Sequence, residues 1–236
     1  MKNQYLGDVN DYRKYGLLRA LCAQGSPRPG VCWMLTADDG SRDGRETRYL
    51  RQPEAWRPHD PALFDRLARD VPGRRARHVG WVERAGLLPG AIFHAATLGD
   101  DVTARRGYFD VMLARLEPAG LVFFDPDNGL EVASVRPGRR GSCKYLYWDE
   151  LVRTFEAGHS VLVYQHFPRV DRAAYVADRL VEIGARTSAA VTMAFLTPHV
   201  VFLLAGQAGH RRALARGAHR VARAWAGRIA VVAGRA

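Results

Sequence analysis

Apolar positions along this chain fall into short blocks, and the segments between the blocks carry apolar residues at helical spacing. Runs such as "GVCWMLT" at 30–36 and "LVFF" at 121–124 do not alternate with polar residues, which is typical of strands buried on both faces. The segment 102–116 repeats apolar residues as an amphipathic helix does. Strands of this kind that alternate with helices predict an α/β protein whose mainly parallel sheet carries helices on both faces.

The remaining apolar runs predict the other strands. Two of them flank Pro198 and are separated by so few residues that they can pair only as an antiparallel hairpin near the end of the chain. The predicted fold is therefore a mostly parallel sheet with an antiparallel C-terminal hairpin. Besides the two runs above, the predicted strands cover 78–82, 91–95, 160–165, 189–196 and 199–205.

Capping residues mark the predicted helices. Asp8 is placed to cap a helix that reaches Leu21, and Asp60 is followed by Pro61, a residue favoured at the first helical position. Glycine commonly ends a helix because it adopts the left-handed conformation without strain. Further helices are predicted at 102–116, at 148–157 before Gly158, at 171–183 before Gly184, and in the arginine-rich segment close to the end of the chain.

The domain organisation predicted is one α/β domain over residues 1–236. The segment 37–60 is polar and long for a connection, which predicts a long loop or a small insertion. No apolar run approaches the roughly 20 residues that span a bilayer, and the first residues lack the apolar core of a signal peptide, so a cytoplasmic protein is expected. The three cysteines are widely spaced and are expected to be reduced. The oligomeric state stays open.

Charge gives an ambiguous signal. The net charge of +11 favours a polyanionic partner such as RNA or DNA, but the 35 basic residues are nearly all arginine, which also fits a bias toward arginine codons. Only Lys2, Lys14 and Lys144 are lysines. Where arginine is the default cation, a lysine can mark a place that needs a compact ammonium group.

Polar residues follow three of the predicted strands. Thr36 and Asp38 follow the first, Asp125 to Asn128 follow "LVFF", and His166 ends the strand at 160–165. Ligands of open α/β sheets bind outside the carboxyl ends of the strands. We therefore expect the strands that finish at Thr36, Phe124 and Tyr164 to open into one shared pocket.

The string "DPDNGLE" at 125–131 has two interpretations. Asp-Pro and Asn-Gly form turns on local grounds alone. Against a simple turn stand the carboxylates of Asp125, Asp127 and Glu131, whose mutual repulsion has to be offset by a cation or a hydrogen-bond donor. His166 is either a structural histidine or an acid–base group. Glu83 is either a surface residue or the acceptor for the hydroxyls of a cofactor ribose.

Three strings carry a resemblance to a family of uncharacterised bacterial proteins that share them over most of the chain. They are "KNQYLGDVNDYRKYGLLR", "FFDPDNGLE", and "KYLYWDEL" together with the later "GHSVLVYQHFPR".

A more distant resemblance is to class I S-adenosylmethionine-dependent methyltransferases, in their element order and in the acidic string after a central strand. It implies a Rossmann-like sheet, with Asp125 and the Pro126 carbonyl holding an amino group of a nucleic acid or nucleotide and Thr36, Asp38 and Glu83 contacting S-adenosylmethionine. Asp127 and Asn128 stand where the enzymes that methylate adenine have a proline and an aromatic residue.

Two other functions remain open. A metal-dependent nuclease or phosphohydrolase would use Asp125, Asp127 and Glu131 to hold magnesium, Lys144 to neutralise the charge that develops on phosphorus, and His166 as an acid or base. A non-catalytic module would bind nucleic acid through the basic C-terminal helix.

Overall fold

The computed structural model describes residues 1–41, 44, 46–71 and 77–234. Its main feature is one seven-stranded sheet in the order β2-β1-β3-β6-β8-β7-β9. The strands of this sheet are β1 (Pro29–Cys32), β2 (Ile92–His94), β3 (Leu121–Phe124), β6 (Ser160–His166), β7 (Val191–Leu196), β8 (Val200–Gly206) and β9 (Ala230–Ala233). Two further short strands, β4 (Gly129–Leu130) and β5 (Tyr145–Leu146), pair with each other in parallel.

Strand direction divides the sheet into two parts. The four strands β2, β1, β3 and β6 are parallel neighbours. Strand β8 pairs antiparallel with both β6 and β7, and β9 pairs antiparallel with β7. The structure therefore confirms an α/β protein with a mixed sheet, parallel in its N-terminal strands and antiparallel in its C-terminal strands.

Helices cover both faces of the sheet, as predicted. Along β3, Leu121 and Phe123 belong to the core that packs under α1, α3 and α8, whereas Val122 and Phe124 belong to the core under α5, α6 and α7. The helices are α1 (Val9–Leu21), α2 (Pro53–Trp56), α3 (Pro61–Asp70), α4 (Gly80–Arg84), α5 (Val102–Leu116), α6 (Trp148–Glu156), α7 (Arg172–Thr187) and α8 (Arg211–Ala224). None of the described helices is long and apolar enough to cross a membrane.

Both predicted N-caps are confirmed. The Asp8 side chain accepts a hydrogen bond from the backbone N–H of Asn10, and Asp60 accepts one from Leu63. These bonds satisfy backbone donors that the first turn of a helix leaves free. The three cysteines are unpaired, as expected.

Two predictions of secondary structure were wrong, and three short strands were missed. Residues 78–82 do not form a strand, and helix α4 begins within them at Gly80, because a short apolar run buries its side chains equally well on one helical face. Helix α7 continues through Gly184 to Thr187, since its apolar face stays in the core and outweighs the low helix propensity of a single glycine. Strands β4, β5 and β9 were not predicted.

The segment 37–60 is only partly a loop. Its second half is helical, with 3₁₀ turns at Arg48–Arg51 and Arg57–His59 on either side of α2. Trp56 is buried in this part and anchors it to the core. Residues 42, 43 and 45 of the predicted loop lie outside the described residues.

Candidate active site

A pocket of about 370 Å³ lies at the carboxyl ends of β1, β3 and β6. One wall is built by residues that follow the strands: Asp125, Pro126, Asp127, Asn128, Tyr164 and His166. The facing wall is built by the N-terminal segment and the first half of α1: Met1, Lys2, Tyr5, Asp8, Asp11 and Lys14.

The predicted convergence of three strand ends is confirmed. Strands β1, β3 and β6 are consecutive parallel neighbours, so their carboxyl ends emerge at the same edge of the sheet. The Thr36 hydroxyl beyond β1 donates a hydrogen bond of 2.7 Å to Oδ2 of Asp127 beyond β3. Tyr164 and His166 from β6 line the same pocket.

Asp125 is paired with a buried lysine from α1. The Lys14 ammonium lies 2.6 Å from Oδ2 of Asp125 and 2.9 Å from Oδ1 of Asp11. Asp11 accepts a second hydrogen bond, from the backbone N–H of Gly7 at 2.9 Å. The three charged side chains are each about 3 % exposed, so solvent screens their interactions very little.

The pKa values of this group follow from burial and pairing. Burial alone would lower the pKa of Lys14, but Asp11 and Asp125 outweigh it and raise the pKa, so that Lys14 is an ammonium ion at neutral pH. Burial raises the pKa of the Asp125 carboxyl, against the opposing effects of Lys14 and the Met1 ammonium. The repulsion expected from crowded carboxylates is thus offset by a cation that the strand-end string itself does not supply.

Asp127 is held by different donors. The Met1 ammonium group lies 2.8 Å from its Oδ1 atom and donates to the backbone carbonyls of Asp125, at 2.8 Å, and Met34, at 3.3 Å. Burial would raise the pKa of Asp127, but the ammonium group and the Thr36 hydroxyl hold it below its ordinary value. Asp127 is therefore a carboxylate at neutral pH.

The turn at 125–129 is built by local conformation together with a buried glutamine. Gly129 has φ of +120°, and a Cβ atom there would lie 2.3 Å from Oε1 of Gln165. The same oxygen accepts a hydrogen bond of 2.7 Å from the backbone N–H of Leu130. Glycine is therefore required for both reasons, the positive φ and the close approach of Gln165. The string therefore forms a tight bend, and Asp125 to Asn128 within it also line the pocket.

Lys144 reaches the pocket through the small sheet of β4 and β5. The backbone N–H of Asn128 donates to the Lys144 carbonyl at 2.9 Å, which aligns the segment before β5 with the strand-end turn. The third lysine, Lys2, forms an ion pair with Asp39. All three lysines of the chain line this pocket.

His166 lies at the rim of the pocket. Its ring is edge-on to that of Tyr164, with centroids 5.2 Å apart. The surrounding protein partly desolvates the ring and lowers the pKa of His166 below its ordinary value. The imidazole is therefore neutral at pH 7 and able to accept a proton.

Four of the predicted site residues do not line the pocket. Thr36 contacts it only through the hydrogen bond that it donates to Asp127. Glu131 accepts a hydrogen bond of 3.0 Å from the backbone N–H of Trp148 at the start of α6. Asp38 is exposed and accepts one of 3.2 Å from the backbone N–H of Gln4. Glu83 is exposed on α4. The last placement follows from α4 itself, since Glu83 does not end a strand and so is not carried to the carboxyl edge of the sheet.

Sequence reasoning missed the acidic residues of the facing wall. Asp8 is predicted only as a helix cap, which it is, and Asp11 lies in the first turn of the same helix. A signal was nevertheless present, because α1 places Asp11 and Lys14 three positions apart on a face whose other residues are apolar. Charged residues on the buried face of a helix need partners elsewhere in the protein.

The residues of the pocket do not fit a magnesium ion in this arrangement. Asp125 and Asp127 are each neutralised by an ammonium group, and Glu131 accepts a hydrogen bond from the backbone N–H of Trp148. In the part of the chain that the structure describes, no three histidine, cysteine or acidic side chains come together as metal ligands would.

The fit to S-adenosylmethionine is also poor. Met1 fills the crevice between the ends of β1 and β3, where the order of strands reverses and where open α/β sheets bind their ligands. Two described glycines directly follow β1: Gly40 has open space around its Cβ position, and a Cβ atom at Gly44 would lie 2.2 Å from the ring of Tyr5. The close neighbour of Gly44 is therefore a side chain of the protein itself.

Comparison with known proteins adds no family: the chain matches no protein-family model and no curated protein sequence.

Proposed function

We propose that this chain is an enzyme that hydrolyses a phosphate ester of a nucleotide or nucleic acid in the pocket at the carboxyl edge of its sheet. The observation that carries the proposal is that all three lysines of an arginine-dominated chain line this pocket beside His166. Compact ammonium groups are suited to phosphate oxygens as point charges. Arginine supplies the positive charge nearly everywhere else.

Lys144 and His166 are the groups available for chemistry. Neither side chain forms an ion pair with another described residue, whereas Lys14 is held between two carboxylates. In the proposed reaction, neutral His166 accepts a proton from water as the water oxygen bonds to phosphorus. The ester P–O bond then breaks, the leaving oxygen takes up a proton from solvent, and the His166 imidazolium releases its proton to solvent, which restores the neutral base. Lys144 offsets the negative charge on the phosphoryl oxygens as the new bond forms.

The Lys14, Asp11 and Asp125 group has a positioning role in this proposal. It fixes the first half of α1 against the turn at 125–129 and so holds the two walls of the pocket at a constant separation. Orientation of this kind accelerates a reaction when the walls carry groups that meet the substrate.

The proposal is tested with a panel of nucleoside monophosphates and triphosphates and short DNA and RNA strands. Phosphate release and strand cleavage are followed for the wild type and for Lys144→Gln, His166→Asn and the control Arg139→Gln, which removes one exposed cation outside the pocket. We expect both pocket variants to lose activity and the control to keep it. No hydrolysis of any compound by the wild type, with or without divalent cations, would contradict the proposal.

The methyltransferase resemblance supports a second candidate function. The C-terminal hairpin implied by that resemblance is present, the sheet has helices on both faces, and Asp125 and Pro126 line the pocket directly after β3. A Rossmann-like enzyme that methylates a nucleotide or nucleic acid would require Met1 to leave the crevice between β1 and β3. Isothermal titration with S-adenosylmethionine decides this candidate, because the absence of heat at tens of micromolar protein rejects it.

The first resemblance is also relevant to the pocket. Each of the strings that carry the resemblance to the bacterial family contributes lining residues: Lys14 from the first, Asp125 from the second, and Lys144 and His166 from the third. This supports the proposal that members of that family have the pocket in common.

A further inference from the structure

A second concave surface lies between α1 and α8, with a volume of about 720 Å³. We call it the basic groove. Its charged and imidazole side chains are those of Arg19, His59, Arg216, His219, Arg220 and Arg223, with Asp60 as the acidic one. Asp60 is already neutralised by Arg19, whose Nε lies 2.7 Å from Oδ2. The groove therefore carries an excess of positive charge.

None of the cations of α8 forms an ion pair with an acidic side chain among the described residues. Helix α8 contains five arginines and a histidine and no acidic residue. On α7, in contrast, Glu182 pairs with both Arg179 and Arg186, as expected for a solvated charged face. Arg216 and Arg223 form neither an ion pair nor a side-chain hydrogen bond with any described residue, so their guanidinium groups are available to a ligand.

The floor of the groove is held by close packing of the two helices. A Cβ atom at Gly16 would lie 1.9 Å from the ring of Trp225, and one at Gly217 would lie 2.8 Å from Cα of Leu21. Arg220 donates two hydrogen bonds, of 2.9 and 2.8 Å, to the Ala20 carbonyl across the interface. These contacts fix the groove in shape, so a ligand does not have to order it.

We infer that the basic groove binds the sugar–phosphate backbone of a nucleic acid strand. Arg216 and Arg223 are seven residues apart on one helix, a rise of about 10 Å, which matches about three nucleotides at roughly 3.4 Å each. Guanidinium groups bind phosphate oxygens in pairs. A concave, preformed channel suits a strand better than the broad plane of a lipid surface.

The inference does not depend on the reaction in the pocket. What the groove implies about the substrate of the pocket, in contrast, rests on the proposed function. Helix α1 forms a wall of both sites, with Lys14 in the pocket and Arg19 in the groove. A strand bound in the groove lies along the same helix as the pocket, and the substrate would then be a polynucleotide and not a free nucleotide.

The test is fluorescence anisotropy with labelled 20-nucleotide single strands of DNA and RNA and with the DNA duplex, at several salt concentrations. Arg216→Gln/Arg223→Gln is compared with Arg106→Gln/Arg140→Gln, which removes two exposed arginines that line neither site. We expect the groove variant to bind about tenfold more weakly, and the slope of log K against log salt to shrink by about 0.7 to 0.9 for each phosphate group that the variant no longer neutralises.

Two results would overturn the inference. One is equal weakening by the groove variant and the control, which would show that only net charge matters. The other is the absence of nucleic-acid binding by the wild type at low salt, including the case in which the protein binds anionic lipid vesicles instead. Neither result bears on phosphate release from mononucleotides, so failure of the groove and failure of the pocket can be told apart.

Discussion

The Nζ atom of Lys14 lies 2.6 Å from Oδ2 of Asp125, in a contact that joins two residues 111 positions apart in the chain. Lys14 belongs to the helix that follows the N-terminal segment, and Asp125 directly follows the central strand β3. Both side chains are about 3 % exposed. This ion pair connects the two walls of the pocket and determines how the N-terminal string and the strand-end string meet.

Replacing Lys14 by methionine is expected to destabilise the protein strongly. The variant leaves Asp11 and Asp125 buried without their common cation, and breaking a buried pair from one side costs about 3 to 5 kcal/mol. Urea denaturation followed by circular dichroism measures the change in the free energy of unfolding. A double-mutant cycle with Asp125→Asn should show that the two effects are not additive. Strict additivity would show that the pair does not act as a unit.

The surroundings of two helical glycines, Gly16 and Gly107, predict opposite effects when each is replaced by alanine. Gly16→Ala forces a methyl group into the ring of Trp225 and should cost about 1 to 3 kcal/mol, unless the indole moves. Gly107→Ala, inside α5, meets no atom within 4 Å and should stabilise by about 0.5 to 1 kcal/mol because alanine has the higher helix propensity. Thermal denaturation of both variants checks the prediction. A Gly16→Ala variant as stable as Gly107→Ala would contradict the packing described for this interface.

Buried histidine makes the stability sensitive to acid. Burial lowers the pKa of His94, and its Nε2 atom has no hydrogen-bond partner among the described residues. The unfolded chain, with a histidine pKa of about 6.5, therefore binds a proton more readily than the folded protein. By linkage, the free energy of unfolding is at its full value above pH 6.5 and falls as the pH drops through the lower folded pKa.

Urea denaturation between pH 7.5 and 5 measures this dependence. His94→Gln should give a flatter profile than the wild type because it removes one titrating group. The pKa values of His166 and His210 are lowered in the same direction, so part of the dependence should remain. A wild-type stability that rises on acidification in this range would show that the histidines titrate in the opposite sense.

The fold could be predicted from the sequence for those elements that are buried along their whole length. The runs at 121–124 and 160–165 are apolar on both faces, and their parallel pairing follows from the helix between them. Residues 78–82 were assigned to a strand because a short apolar run has no periodicity that separates a strand from a helical turn. Strand β9, with the sequence AVVA, lies at the edge of the sheet and is largely exposed. An apolar run of only four residues does not by itself distinguish a strand from a helical turn.

Only one wall of the candidate site, the one formed by the strand ends, could be predicted from the sequence. Strand ends gave Asp125, Asp127 and His166, because parallel strands bring their carboxyl ends to one edge. The opposite wall depends on how α1 packs across the sheet, which the sequence indicates only indirectly, through Asp11 and Lys14 on an otherwise apolar helical face. The scarcity of lysine was a further clue, because Lys14 and Lys144 line the same pocket only in the folded protein.

His166 should leave a signature in the pH dependence of hydrolysis. Since the imidazole acts as a base with a pKa below its ordinary value, kcat/KM should be constant near neutrality and fall as the pH drops below about 6.5. The His166→Asn variant should be slow and should lack this acidic limb. An acidic limb that persists unchanged in the variant would assign the titrating base to another residue.

The central claim is that the pocket containing the three lysines processes a phosphate ester, and Lys144 tests it most directly. The measurement is kcat/KM of the wild type, Lys144→Gln and Arg139→Gln with the substrate from the panel that the wild type cleaves fastest. The account predicts a decrease of about 10² to 10³ for Lys144→Gln, the usual magnitude for removing one group that stabilises charge in the transition state, and an unchanged value for Arg139→Gln. Wild-type activity in Lys144→Gln would contradict the account.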